Sequence, residues 1–421
     1  MKKNIVNYYY RHQENIKNFF WRALQIGGKQ GSLLVLTLFS SKILSVENFG
    51  NFSYYFSIIL LCSMVSDFGI STAMGKFFAE YRYKERSKLN SIFISSVYIL
   101  IGFFLTIGLC VYFLNTLYFK SKLILILIPL VFLIPFSSIL DGIFRGLEQF
   151  KQLSRIVIFS SLFSFPLILC LIYFFRSEGL AYGYGFFYSC LSLFSLIYYI
   201  RGSGESGKFK PKWDTSKKLI IYSFYLGLAS VSYFLFSRFS IIYLGYLGEL
   251  KLVGFLEIIW RFESLFLLPF FILGHILAPK MTFLWCSGEK SKLHLKFKRN
   301  WKYSVISSLI TSTLFFFFSY FLLNVLFKEF MVENSLQMIF LISIIFIIKA
   351  YAVLIDFCFI IPTGYGNLMA PIYTSVAFAN IFLMYILNSF WGSTGVIFSI
   401  LISHVAMVIV LHTKFYSIIS R

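Results

Sequence analysis

The sequence predicts an all-α, polytopic membrane protein of about twelve transmembrane helices, set as two six-helix lobes around a central cavity. Three observations predict the spans: an apolar composition, apolar runs of bilayer length along the whole chain, and a one-sided distribution of basic residues; an echo between the halves predicts the two lobes. Of 421 residues, 58% are hydrophobic and only 13% are Asp, Glu, Lys or Arg, and the mean hydropathy is +0.79. That leaves too little polar surface to wrap a water-soluble core of this size. A span needs roughly 20 apolar residues, because about 30 Å of hydrocarbon is crossed at 1.5 Å per helical residue. A membrane β-barrel would instead show alternation over about ten residues per strand, which this chain lacks.

Apolar runs between polar breaks place spans near residues 21–45, 49–74, 89–114, 123–144, 156–175 and 180–200, and again near 219–244, 252–277, 303–327, 336–361, 368–390 and 395–413. The expected organisation is an N-terminal lobe over 1–200, a polar cytoplasmic linker over 201–218 and a C-terminal lobe over 219–421. The basic and aromatic start runs into the first span without a small-residue cleavage site, so that helix is expected to act as an uncleaved insertion signal. With the N-terminus inside, Lys120, Lys122, Arg176, Lys251 and Lys328 are the only basic residues in outside connections, and the others outside the spans collect on the inner side. Basic residues resist translocation, so this sorting fixes the orientation. The +21 net charge is mostly that bias. It suits a leaflet of anionic lipid and is no argument for nucleic acid.

The halves echo one another. Gly50, in LSVENFGNFSYYFSIILL, and Gly254, in YLGELKLVGFLEIIWRFESL, fall in matching turns before a span; Gly146 and Gly364 follow the fourth and tenth spans. A transporter built from two parallel repeats has this character.

The run SKILSVENFGNFSYYFSIILLCSMVSDFGISTAMGKFFAEY, with its Asp67-Phe68-Gly69 step and Phe77-Phe78-Ala79-Glu80 exit, resembles the opening helices of the polysaccharide-biosynthesis (O-antigen) flippases. The segments GIFRGLEQFKQLS, LGELKLVGFLEIIWRFESLFLLPFFILGHILAPKMTFLW and LNSFWGSTGVIFSILISH are similar to later parts of that pattern. The family belongs to the superfamily of multidrug, oligosaccharidyl-lipid and polysaccharide exporters. The resemblance implies a bacterial inner-membrane protein that moves an undecaprenyl-diphosphate-linked oligosaccharide, such as an O-antigen unit of lipopolysaccharide, by alternating access. It also implies glycan polymerase and assembly proteins as partners. A lipid II flippase fits less well, since two further helices are missing, and a cation-coupled multidrug or metabolite exporter is the rival. A membrane glycan polymerase or ligase would carry a sizeable external loop.

Charges inside spans are the candidate site. Arg238, Lys349, Lys29 and Arg261 would each cost roughly 2.5 to 3.5 kcal/mol facing lipid, so they are expected to face the interior, where a diphosphate would gain from them. Arg238 stands among serines and is the leading candidate. Glu257 lies one turn from Arg261, which makes an internal pair an equal reading. Lys349 shares a face with Asp356 at two turns' distance. Lys29, amid Gly27, Gly28, Gln30, Gly31 and Ser32, either meets substrate or seals a helix contact. Asp67, Glu257 and Asp356 are candidates for ion coupling or helix packing, the second being the commoner use. Six scattered cysteines give no disulfide or metal pattern, and no glycine-rich phosphate loop, metal-ligand pair or nucleophile arrangement stands out, so neither cofactor nor covalent catalysis is expected.

Reporter fusions are expected to place both termini and the 201–218 linker in the cytoplasm. A linker that reports outside would overturn the topology.

Overall fold

Within hydrocarbon a chain must satisfy its own backbone, and an apolar chain without strand periodicity does so as helix. The computed structural model describes residues 2–84, 87–202 and 213–420, and no strand occurs among them. The helices are α1 (Lys2–Ile43), α2 (Val46–Asp67), α3 (Ile70–Lys84), α4 (Ser87–Leu114), α5 (Lys122–Leu127), α6 (Leu130–Gly146), α7 (Phe150–Gly202), α8 (Trp213–Tyr246), α9 (Leu250–Cys286), α10 (Lys290–Leu326), α11 (Ser335–Ile355) and α12 (Met369–Ser420). Eight helical stretches of the described residues are long and apolar enough to cross a membrane. Two of these, α7 and α12, are each a pair of spans. A straight helix of 53 residues would run for about 80 Å, far beyond the hydrocarbon, and each is interrupted by one non-helical residue, Arg176 (φ 53°) in α7 and Gly392 (φ 56°) in α12. The long helices α1 and α9 supply the remaining crossings of a twelve-span protein.

The two interruptions are built alike. Three residues after each comes a glycine, Gly179 and Gly395, and a side chain on either would strike the carbonyl eight residues earlier, of Leu171 and Leu387 respectively. Gly183 likewise abuts Ile168, so the halves of α7 run antiparallel in close contact. The local sequences, Arg176-Ser177-Glu178-Gly179 and Gly392-Ser393-Thr394-Gly395, share the serine and the second glycine. This is a clearer echo than those read from sequence. Gly50 and Gly254 prove to be helical residues of α2 and α9 rather than turn residues, needed small because their helices are crowded. Gly146 ends α6 against Gly75 and Phe78, whereas Gly364 turns the chain at φ +86°.

Two expected spans are broken in mid-course. Residues 49–74 split after Asp67, where Phe68 (φ 36°) and Gly69 (φ 79°) leave the right-handed region. A side chain on Gly69 would collide with the backbone of Ser223 and Gly227, so the break is a site of close packing. Residues 123–144 split at Pro129, whose ring removes a helix donor.

The chain forms two compact units, Met1–Leu36 with Cys62–Gly227, and Thr37–Leu61 with Leu228–Arg421. A cut at the 201–218 stretch alone would leave Thr37–Leu61 in the first unit; most of that stretch lies outside the described residues. The physical reason for the grouping is local. Gly50 sits against the Leu250 carbonyl, Tyr54 fills the space beside Gly245, and Phe49 meets Phe330 edge to face at 5.7 Å.

Gly50→Val would drive a branched side chain into the Leu250 backbone. The expected cost is about 1–3 kcal/mol, read as a lower unfolding midpoint in detergent. Gly31→Ala, with open space around it, is expected to be neutral or slightly stabilising, by up to ~1 kcal/mol.

Candidate functional site

Each unit contains its own cluster of charged side chains, and the two clusters differ in balance. In the second unit, α9 is the spine. Glu257 and Arg261 are four residues apart and therefore on one face; Arg261 Nε donates to Glu257 Oε1 at 2.7 Å. Arg238, from α8, donates through Nη1 to the other oxygen at 3.2 Å. Six residues beyond Glu257, Glu263 Oε2 accepts from Lys349 Nζ of α11 at 2.9 Å, and the same ammonium lies 4.1 Å from the Trp260 ring centroid. Asp356, at the end of α11, accepts from the hydroxyl of Tyr373 in α12. Glu257, Glu263, Lys349, Arg261 and Asp356 are all buried. Three cations thus face three carboxylates.

This arrangement bears on the residues expected to bind substrate. Arg238, which has no acid near it in sequence, is paired with Glu257 from another helix. Lys349 engages Glu263 rather than Asp356. The carboxylate of Glu263 is 86 residues away in sequence, so no local spacing could reveal the pair. Among the described residues, Glu263 Oε1 and Asp356 Oδ1 have no hydrogen-bond donor, which leaves acceptor oxygens inside an otherwise neutralised core.

The first unit is organised around one carboxylate, Asp141 of α6. Arg145, one turn on, brings Nε to 2.8 Å from Oδ2. From α1, Arg22 Nη1 lies 3.4 Å from Oδ1, and Gln25 Nε2 donates to the same oxygen at 3.0 Å. Lys29, seven residues beyond Arg22 on the same face of α1, stands over the Tyr188 ring at 5.6 Å and within electrostatic reach of Asp141. Three cations here surround a single acid. The side chains of Arg22, Asp141 and Arg145 retain 16%, 20% and 31% of their exposure; in the second unit's cluster only Arg238, at 22%, does so, and the carboxylates there are buried. Of its members, sequence reading singled out Lys29 alone. The signal that was present is the four-residue spacing of Asp141 and Arg145 and the heptad spacing of Arg22 and Lys29.

Asp67 has a local explanation. Its Oδ1 accepts from the Ser71 backbone N–H at 3.1 Å and its Oδ2 from the Ser71 hydroxyl at 2.8 Å. It therefore caps the start of α3 at the break, where the first N–H groups of a helix need an acceptor that lipid cannot give. No group of His, Cys, Asp and Glu able to hold a metal occurs among the described residues.

The sequence profile of the polysaccharide biosynthesis protein family matches residues 16–274. The fold is that of solved transporters. An inward-facing multidrug resistance MATE family transporter of the MOP superfamily superposes with a TM-score of 0.71 at 13% identity, covering 96% of this chain and 94% of that one. A eukaryotic MATE transporter gives 0.69 at 16% identity, with 95% of each chain covered. A MATE protein in a bent conformation gives 0.69 at 15% identity, over 97% and 96%. At these identities the likeness is one of fold. No curated protein sequence matches the chain.

Breaking a buried ion pair costs more than the pair contributes, because one charge is left without its partner. Glu263→Gln is therefore expected to destabilise the protein by about 3–5 kcal/mol, seen as a lower unfolding midpoint and reduced membrane abundance. Glu263→Met with Lys349→Met should recover most of that loss, since the stranded ammonium is gone.

Proposed function

The chain belongs to the polysaccharide biosynthesis protein family, and from that premise we propose that it is a flippase for a polyprenyl-diphosphate-linked oligosaccharide, an O-antigen or other surface-glycan repeat unit. The lipid-linked unit is taken up at the cytoplasmic leaflet of the bacterial inner membrane, and its headgroup is released on the far side by alternating access. No bond is made or broken, so no catalytic residue is required. Glycan polymerase and assembly proteins would act on the released unit.

The observation that carries this reading is the positive excess of the first unit's cluster. A diphosphate brings at least two negative charges and acceptor oxygens suited to the planar fork of arginine. Arg22 and Arg145 present two such forks, Lys29 adds a mobile point charge, and Asp141 holds the guanidiniums in place while leaving the group positive. In the second unit Arg238, Arg261 and Lys349 are each committed to a carboxylate, which favours a role in packing or coupling there. A cation-coupled exporter of cationic drugs would be served poorly by the first cluster, because positive charge would repel its cargo.

The test is transport by the purified protein in liposomes carrying a labelled polyprenyl-diphosphate sugar. A charge-assisted hydrogen bond is worth about 1.5–3 kcal/mol, so Arg22→Gln or Arg145→Gln is expected to slow flipping roughly 10- to 100-fold at unchanged protein level. Arg22→Lys should keep part of the activity, since the charge remains and the fork is lost. Normal flipping by well-folded Arg22→Gln and Arg145→Gln would remove this cluster from the site. Dye export without flipping would replace the reading by the drug-exporter one.

A further inference from the structure

The first unit carries a second feature that the flippase reading does not use. Between α5, the start of α6 and the two halves of α7 lies a groove of about 770 Å³, lined by Ile126, Pro129, Leu133, Leu171, Ala181 and Gly185. That volume falls within the roughly 300–1,000 Å³ of small-molecule pockets. Its origin is legible in the residues. Pro129 interrupts the helix between α5 and α6, and opposite it α7 presents small residues, including Gly185, around whose absent side chain nothing lies within 4 Å. The walls are apolar, and Leu125 and Tyr182, at the rim, are exposed at 42% and 47%.

One end of the groove is charged. Lys122, 70% exposed, donates to Glu178 at 2.9 Å. Lys120 lies two residues before Lys122, and Arg176 two residues before Glu178; both are exposed. No Asp or Glu occurs between residues 86 and 140 or between 149 and 177, so this end of the unit is net positive. An ammonium has three donors, and the bond to Glu178 uses one of them.

We propose that this groove is a binding site for an anionic phospholipid, with one acyl chain between α5, α6 and α7 and the phosphate against Lys122. The apolar walls cannot by themselves select a lipid, because a chain gains no hydrophobic free energy in moving from bilayer to groove. Selection rests on the headgroup, and the basic end supplies it. The groove fixes where the chain lies; the charge fixes which lipid occupies it. This site is separate from Arg22, Lys29, Asp141 and Arg145, and it does not depend on the function proposed for them.

The experiment is native mass spectrometry of delipidated full-length protein titrated with phosphatidylglycerol or phosphatidylcholine. Phosphatidylglycerol is expected to bind about tenfold more tightly. Lys122→Gln should weaken it by about fivefold, the worth of one basic residue at an anionic surface, and leave phosphatidylcholine unchanged. Glu178→Gln should act in the opposite sense and tighten phosphatidylglycerol, a sign that mere loss of the Lys122–Glu178 bridge would not produce. Gly185→Leu, which fills the groove, should weaken both lipids. Equal binding of the two lipids by the wild type, or wild-type affinity in Lys122→Gln, would overturn the proposal. Displacement of phosphatidylglycerol by an equimolar polyprenyl diphosphate would also overturn it, by giving the groove to the tail of the transported lipid.

Discussion

Hydrocarbon offers neither hydrogen bonds nor screening, so every interrupted helix and every buried charge in this protein has to be answered by another group of the same chain. The breaks obey this constraint. Where α2 gives way to α3, the side chain of Asp67 takes the N–H of Ser71. Where α4 ends, Asn115 uses both its own carbonyl and its side chain, accepting from Lys120 at 2.7 Å and Ser121 at 3.0 Å. Many serines inside the spans return their hydroxyls to a carbonyl three or four residues earlier, as Ser53 does to Phe49 and Ser343 to Ile339. An apolar helix can in this way satisfy a hydroxyl it carries, although several buried serine hydroxyls, Ser240 and Ser319 among them, have no partner among the described residues.

The same constraint separates the two charge clusters. In the second unit the cations are matched by carboxylates, and all of them but Arg238 are buried. Such a core ties α8, α9 and α11 together and gives little net attraction to an outside charge. In the first unit Arg22, Lys29 and Arg145 share Asp141 and keep part of their exposure. A cluster with surplus charge is costly in an apolar setting unless a counter-charge visits it. That cost supports the anionic cargo proposed above, and it distinguishes two units that otherwise echo each other.

Their echo is most evident where the chain reverses. At Arg176 and at Gly392 a single residue with positive φ ends one span, and a glycine three positions on lets the next span start against the backbone of the last. Glycine costs nothing at Gly392, whereas Arg176 adopts a conformation that side chains disfavour. Arg176 also stands two residues before Glu178, the partner of Lys122 at the end of the groove, so the reversal of α7 and one side of that ion pair are set by neighbouring residues.

The sequence by itself determined the class of the protein, because apolar length and the sorting of lysine and arginine are properties of composition and order alone. It also predicted that Arg238, Arg261, Lys349 and Lys29 would turn away from lipid, since their cost there is independent of their neighbours. It showed Glu257 beside Arg261, a contact made within one helical turn. Which other charges meet was decided by tertiary structure. Arg238 reaches Glu257, Lys349 reaches Glu263, and Arg22 reaches Asp141 from a helix 119 residues away in sequence, distances over which no periodicity carries information. The grouping of Thr37–Leu61 with the second unit likewise depends on the packing of Gly50, Phe49 and Tyr54 against Leu250, Phe330 and Gly245. Local spacing fixes what lies on one helix face, and only the folded chain fixes which face it meets.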